Sequence, residues 1–312
     1  MTDNCGRQIT YLRISVTDLC NLRCDYCMPA EGVTKRQHSN ILRVEEILEI
    51  AEAAVELGIR KIRITGGEPL LRRGLLDICK GVKELGIDDL AVTTNGILLR
   101  DFAEPLKNSG VNRVNVSLDT LKPEVFRKLT RSRGSAPELQ NVLDGIDAAK
   151  LAGLTPIKLN CVLMRGVNDG EIEDIADFAE RMDVELRFIE LMPIGQAKDM
   201  WRERYLPNSE VIKRLGLKNG VQRGVAMQYG RIGLIDPVSR AFCPTCNRIR
   251  LTADGNIKPC LHSAREIPVR NLHGAELRGA LTAAILSKPE AHDGLSGDAP
   301  SRSQRGMNKI GG

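Results

Sequence analysis

Six of the nine cysteines fall into two tight groups: Cys20, Cys24 and Cys27, then Cys243, Cys246 and Cys260. In a reducing compartment, thiols clustered in this way hold metals or iron-sulfur clusters rather than disulfides. A four-iron cluster held by three thiolates keeps one iron free for another ligand, and that open iron is a reactive position. After the first group no fourth Cys or His follows before His38, whereas a closed structural zinc site wants four ligands. In the second group His262 offers a fourth ligand, so a zinc ribbon stays open there. Cys79 and Cys161 stand in apolar contexts and read as small core residues; Cys5 carries no signal.

Two further patterns carry chemistry. In Thr65-Gly66-Gly67-Glu68-Pro69 adjacent glycines leave backbone polar groups open to a close ligand, and Glu68 can pair with an amino group. In Arg248-Ile249-Arg250, directly after the second cysteine group, the two arginines of a strand point the same way, toward whatever sits beside that metal. Two cations there imply a bound anion; a solvated basic strand face is the plainer alternative.

Elements that position these residues follow from periodicity. Residues 11 to about 215 alternate β-type and helical runs, as in βα units around a parallel sheet. Strands are expected near 11–16, 60–65, 89–94, 112–118, 156–163 and 185–191, with helices near 44–57, 72–85, 101–109, 137–152 and 170–182. Val44, Ile47, Leu48, Ala51, Ala54 and Val55 form one apolar stripe, closed by Gly58. Six strands are too few for a closed eight-stranded barrel, which leaves an open partial barrel or a doubly wound sheet. With a two-residue period, Arg13, Ser15 and Thr17 share a face, as do Arg63 and Thr65, Asn115, Ser117 and Asp119, and Lys158 and Asn160. A packed barrel would place branched apolar residues there, so these faces imply a solvated or ligand-filled interior.

Past Leu215 the pattern changes to short β pieces, 220–228 and 231–235, then a hairpin over 251–260 centred on Asp254-Gly255. A helix is expected near 275–287 and a flexible polar tail from Lys288 to Gly311-Gly312. The expected domains are 1–215 and 216–312.

At 312 residues, 42% hydrophobic and 27% charged, the chain fits a soluble globular protein. No apolar run spans a bilayer and no secretory leader opens the chain, so the expectation is cytoplasmic, with no membrane partner. The net charge is +5, but the basic residues are dispersed and aromatics make up 3%, which argues against a nucleic-acid platform and for a small anionic ligand.

The ordered series Tyr11-Leu-Arg13-Ile-Ser-Val-Thr-Asp-Leu-Cys20, Cys24-Asp-Tyr26-Cys27-Met-Pro29, Arg63-Ile-Thr-Gly-Gly-Glu-Pro69, Thr93-Thr-Asn-Gly96, Asn115-Val-Ser117-Leu-Asp119, Arg187-Phe-Ile-Glu-Leu-Met192, Cys243-Pro-Thr-Cys246-Asn-Arg-Ile-Arg250 and the final Gly-Gly resembles the GTP 3',8-cyclase family of radical S-adenosylmethionine (SAM) enzymes along nearly the whole chain. The resemblance implies an incomplete (β/α)6 barrel, akin to triose-phosphate isomerase, with a mostly antiparallel β extension carrying a second cluster. It implies two 4Fe-4S clusters, one on Cys20, Cys24 and Cys27 and one on Cys243, Cys246 and Cys260. SAM would meet Tyr26, Gly67, Ser117 and Met192. GTP would meet Arg13, Arg63, Thr93, Lys158 and the strand Arg248, Ile249 and Arg250, with Arg187, Gly311 and Gly312 as further functional residues. The implied reaction cyclises GTP to 3',8-cyclo-7,8-dihydroguanosine 5'-triphosphate in molybdenum cofactor biosynthesis. A homodimer, a reductant protein and cyclic pyranopterin monophosphate synthase are the implied partners. Two competing readings are a radical SAM enzyme acting on a peptide and a cysteine-rich module holding structural zinc.

Overall fold

The computed structural model describes residues 1–33, 40–132 and 138–311. Six βα units come first: β1 (Tyr11–Ser15), α1 (Val44–Glu56), β2 (Lys61–Thr65), α2 (Leu75–Glu84), β3 (Asp89–Thr94), α3 (Leu99–Asn108), β4 (Arg113–Ser117), α4 (Pro123–Thr130), α5 (Glu138–Leu151), β5 (Lys158–Leu163), α6 (Ile172–Arg181) and β6 (Glu185–Glu190). Then follow α7 (Ala197–Arg204), α8 (Ser209–Arg214), β7 (Val221–Arg223), β8 (Ala226–Tyr229), β9 (Ile232–Ile235), β10 (Arg248–Leu251), β11 (Asn256–Lys258), β12 (Ile267–Pro268) and α9 (Gly274–Leu286). The expected strands and helices fall within a few residues of these. Helices α4, α7 and α8 were not foreseen. In α7 only Ala197 is buried, so no apolar stripe announces it.

The twelve strands of the described residues form one open sheet in the order β12-β11-β10-β1-β2-β3-β4-β5-β6-β9-β8-β7. Strands β1 to β6 are the partial barrel, and a doubly wound order is ruled out because neighbours follow the chain. An open barrel leaves a row of unpaired backbone groups at each edge. Here β10 joins β1 and β9 joins β6, both in parallel, while the hairpins around β11 and β8 are antiparallel. The segment after residue 215 therefore covers both edges of the barrel at once.

Side chains sort by face. Leu12, Ile14, Ile62, Ile64, Val92, Val114, Val116, Leu159 and Phe188 are buried under the helices, each worth roughly 1.5–3 kcal/mol of hydrophobic stabilisation. Cys79 and Cys161 belong to this core. The opposite face carries the polar residues. Register sets Arg63, Arg13 and Arg250 abreast on three adjacent strands, and Ser117, Asn160 and Arg187 abreast on three others.

The expectation of a flexible tail is corrected over the described residues. From Lys288 onward the chain folds back over the barrel mouth, with Leu295, Ser301, Ser303, Asn308 and Ile310 buried. Ser301 N–H donates to Pro193 O at 2.9 Å, and a 3-10 turn spans Met307–Lys309. Backbone pairing, which the tail's polar composition does not advertise, fixes this path. Gly312 lies outside the described residues.

Candidate active site

The first cysteine loop leaves β1 and is shaped by its own backbone. Cys27 N–H and Met28 N–H both donate to Cys24 O, at 2.9 and 3.1 Å, which turns the Cys24 and Cys27 thiols into the barrel mouth. Leu22 N–H donates to Cys20 Sγ at 3.4 Å and Asn95 Nδ2 approaches the same sulfur at 3.8 Å. The loop rests on α4, because Arg23 N–H and Asp25 N–H donate to Thr130 O and Leu129 O. Arg204 of α7 pairs with Asp25 at 2.5 Å. Two of the unforeseen helices thus brace the loop.

Gly66 and Gly67 are required by close approach. A Cβ on Gly67 would stand 2.3 Å from Leu19 O, and one on Gly66 2.6 Å from Thr17 O. The pairing of Glu68 with a ligand amino group is corrected. Glu68 is fully buried, and its carboxylate accepts from Leu70 N–H at 3.0 Å, Thr94 Oγ1 at 2.8 Å and Asn95 N–H at 2.7 Å. It is a strut between two loops, and burial pushes its carboxyl up to about 7 despite these three donors. Tyr26 Oη donates to Asp119 Oδ2 at 2.8 Å; burial raises the Asp119 carboxyl to about 6.

The second triad sits on the hairpin that begins with β10. Cys243 opens a 3-10 turn, Cys246 N–H donates to Cys243 O at 3.1 Å, and the β10–β11 hairpin brings Cys260 back beside them. Lys288 Nζ fastens this unit by donating to Arg248 O and Pro259 O, both at 2.9 Å. Electrostatics separate the two triads. Burial pushes the Cys20 thiol up to about 11 and Cys27 to about 12. Cys243 and Cys246 lie below the ordinary thiol value: burial opposes this, but His292 acts on the first and Lys288 and Arg248 on the second. The second environment supplies countercharge to its thiolates, whereas burial at the first favours the neutral thiols until a bound cation offsets it.

Both triads line one cavity of about 280 Å³. Arg13, Arg63, Arg187, Arg248 and Arg250 share its wall, and Asp119 is the one carboxylate there among the described residues. Burial lowers the Arg187 and Arg250 guanidiniums to about 10, with neighbouring cations adding to the effect. Arg63 and Arg248 lie 5.5 and 5.4 Å from the centre of the Tyr11 ring. Buried Nε atoms of Arg63, Arg187 and Arg248, together with Thr93 Oγ1 and Asn160 Oδ1, have no hydrogen-bond partner among the described residues. Like charges a few ångströms apart repel by a few kcal/mol each at an effective dielectric of about 20, so this wall is built to receive a polyanion. Neither triad forms a tight single-ion site: among the described residues no three His, Cys, Asp or Glu side chains gather to hold one metal ion. Three sulfurs spread at the wall of a roomy lumen fit a multi-iron cluster with one open corner. His262 Nδ1 lies 3.1 Å from Ser301 Oγ, and His38 lies outside the described residues.

Of the sequence-derived site residues, Tyr26, Gly67, Thr93, Ser117 and Met192 also line the cavity. Lys158 does not: it forms an ion pair with Glu185 deeper in the barrel. The Ile249 side chain is 1% exposed and packs in the hydrophobic core on the other face of β10. Gly311 packs against the inward-facing Thr65 and Ser15, its carbonyl accepting from Arg250 Nη1 at 2.6 Å. Lining residues that were not singled out as site residues include Asn95, Asn160, Lys288, His292, Met307 and Asn308. Asn95 and Asn160 had a signal, the Thr-Thr-Asn-Gly run and the inward face of β5. The last four come from the folded-back tail: Met307 and Asn308 lead into the final Gly-Gly, which is a signal, whereas nothing local marks Lys288 and His292.

A family model described as the Radical SAM superfamily matches residues 14–179, and one described as Molybdenum Cofactor Synthesis C matches residues 184–294. The chain is 48% identical to the GTP 3',8-cyclase of Alkaliphilus oremlandii over 100% of both chains. It is 45% identical to that of Peptoclostridium acidaminophilum, over 100% of this chain and 98% of the relative. Among solved structures, Streptococcus suis SuiB bound to S-adenosylmethionine matches with a TM-score of 0.62 at 17% identity, over 88% of this chain and 68% of that one. Native anSMEcpe with bound AdoMet gives 0.57 at 14% identity, over 92% and 82%. These two establish likeness of fold. With a lumen that faces two open thiolate triads toward five guanidiniums and with full-length relatives of one kind, the chain belongs to the GTP 3',8-cyclase family of the radical SAM superfamily.

Proposed function

We propose that this chain cyclises GTP to (8S)-3',8-cyclo-7,8-dihydroguanosine 5'-triphosphate, the first step of molybdenum cofactor biosynthesis. The observation that carries the reading is the set of guanidiniums that shares one cavity with both triads. Cys20, Cys24 and Cys27 hold one 4Fe-4S cluster, and Cys243, Cys246 and Cys260 the other. Held there, the first cluster with SAM would supply the one-electron chemistry that starts the cyclisation.

The protein's own residues bind, align and shield. Tyr26, Gly67, Ser117 and Met192, which line the cavity, contact SAM. Arg13, Arg63, Arg187, Arg248 and Arg250 neutralise the triphosphate, using charge-assisted contacts that water would otherwise weaken. Thr93 Oγ1, buried and unpaired within the described residues, donates to the substrate. Lys158, paired with Glu185, adds a further cation toward the nucleotide, and the Glu185 carboxylate also offsets the charge on Arg187. Ile249 contributes backbone while its side chain anchors β10. A peptide substrate would leave these arginines without countercharge.

A homodimer, a reductant protein and a hand-over of product to cyclic pyranopterin monophosphate synthase complete the proposal, in the cytoplasm. No helix among the described residues is long and apolar enough to cross a membrane. Anaerobic reconstitution should give about eight irons and eight sulfides per chain. Supplied with SAM, GTP and a strong reductant, that protein should release the cyclised nucleotide together with methionine. An iron content below about six, or turnover of SAM with no change in GTP, would sink the reading.

A further inference from the structure

The last stretch of chain reaches the lumen from one charged anchor. Arg305 donates from Nε and Nη2 to the two carboxylate oxygens of Glu266, at 2.7 and 2.6 Å. Its Nη1 donates to both oxygens of Asp254, at 2.9 and 3.0 Å. Every nitrogen of the guanidinium is thus engaged, and the three side chains are 16, 23 and 18% exposed. A planar fork satisfied on two sides is the geometry in which arginine specifies direction as well as adding energy. The acids are themselves held. Thr252 Oγ1 donates to Asp254 Oδ1 at 2.6 Å, and Lys258 Nζ approaches Glu266 Oε1 at 3.3 Å.

Placement gives the clasp its consequence. Asp254 sits in the turn between β10 and β11, and Glu266 directly precedes β12. Strand β10 also carries Arg250, whose Nη1 holds the Gly311 carbonyl. Arg305 and Gly311 are therefore two pins, six residues apart, on one hairpin. Between them Met307 and Asn308 line the cavity, and Asn308 Nδ2 donates to Asp18 O at 3.4 Å in the first cysteine loop. The segment 306–311 has one short 3-10 turn and few apolar anchors, Ile310 chief among them. Its seating depends on the pins.

We infer that Arg305 is a positioning residue for the reaction, and that its clasp on Asp254 and Glu266 keeps residues 306–311 seated across the lumen, so that SAM is consumed only in step with nucleotide. The inference rests on the reading of the lumen as a GTP site. Unseated, the segment would open the chamber to water and release Gly311 from Arg250, without removing any thiolate or any arginine of the wall.

The test compares reconstituted wild-type protein with Arg305→Gln and, separately, Glu266→Gln, in two measurements. The first is amide hydrogen exchange over residues 300–311. The second is methionine formed per nucleotide cyclised, with SAM and GTP affinities recorded beside it. Both variants should exchange several-fold faster in this segment and form several-fold more methionine per product, with SAM affinity and iron content unchanged; Arg305→Lys, which keeps the charge but not the fork, should fall between. Wild-type exchange and a wild-type ratio in Glu266→Gln overturn the inference, whatever the folding of Arg305→Gln. An equal loss of SAM binding and turnover in both variants also overturns it, because that marks a merely structural anchor. Failure of the wild-type protein to act on GTP would instead strike the functional reading, while the exchange measurement still judges the clasp.

Discussion

Arg250 and Gly311 meet at 2.6 Å, guanidinium to carbonyl, at a position that has no room for a side chain. Gly311 has φ of +76°, and a Cβ there would stand 2.4 Å from Thr65 Cγ2. The left-handed backbone alone costs an L-residue about 1–2 kcal/mol, and the clash adds to it. Gly311→Ala should therefore lower nucleotide turnover by roughly fivefold or more, since 1–2 kcal/mol is a factor of about 5–30 in a population. SAM affinity should hold, because Gly311 lies beside Arg250 rather than the first triad. Full turnover in this variant would remove the segment from the chemistry.

Arg248 and Arg250 carry a second prediction. They lie on the lumen face of β10 in register with Tyr11 and Arg13, and Arg248 Nε is without a partner among the described residues. A charge-assisted hydrogen bond is worth roughly 1.5–3 kcal/mol. Arg248→Ala or Arg250→Ala should then weaken GTP binding by about 10- to 100-fold, with little change in SAM binding. Equilibrium binding of each ligand to the reconstituted protein separates the two effects, and unchanged GTP affinity would contradict the roles given to both arginines.

Local pattern carried the barrel and much of the lumen, because strand alternation places side chains without any knowledge of the fold. Arg13, Arg63 and Ser117 follow from a two-residue period alone. The same logic gives Lys158 its inward direction, while its partner, Glu185, is set by the next strand. Pairings of β9 and β10 with the two barrel edges depend on contacts far along the chain, so no window of sequence contains them. The tail is the clearest case: its polar residues read as loose, yet Ser301 and Asn308 are buried where they meet Pro193 O and Asp18 O, and Ser303 is buried where it bonds Ser301 and Arg305. Glu68 failed for another reason. Its position in the motif suggested a ligand, while burial and three donated hydrogen bonds give it to the protein.

Gly67 yields a prediction about metal loading. Its N–H donates to Thr17 O at 2.7 Å, and its missing Cβ lets Leu19 O pass within what would be 2.3 Å. Gly67→Ala must push away the backbone that leads into Cys20. Iron retained at the first site should drop by more than half while the second site, which touches none of these atoms, keeps its own. Counting iron in this variant on a background of Cys243→Ala, Cys246→Ala and Cys260→Ala reads the first site alone; normal loading would show that the loop tolerates the shift.

Glu68 also predicts how stability responds to pH. Its ordinary carboxyl value of 4.5 is raised to about 7 by burial, which outweighs the donors from Asn95, Leu70 and Thr94. Between these values the folded protein keeps a proton that the unfolded chain has released. Stability from this group is therefore fully present below pH 4.5, falls as pH rises through the window to about 7, and is flat above it. The gap corresponds to roughly 3 kcal/mol as an order of magnitude. Thermal melts of the anaerobic protein at pH 5 and pH 8 should thus differ, and Glu68→Gln should flatten the difference. The substitution also turns an amide N–H₂ toward the Asn95 or Leu70 N–H, costing about 1–3 kcal/mol at every pH. Melts of Glu68→Gln that keep the full wild-type pH dependence would assign the titration to another group, with Asp119 the next to try.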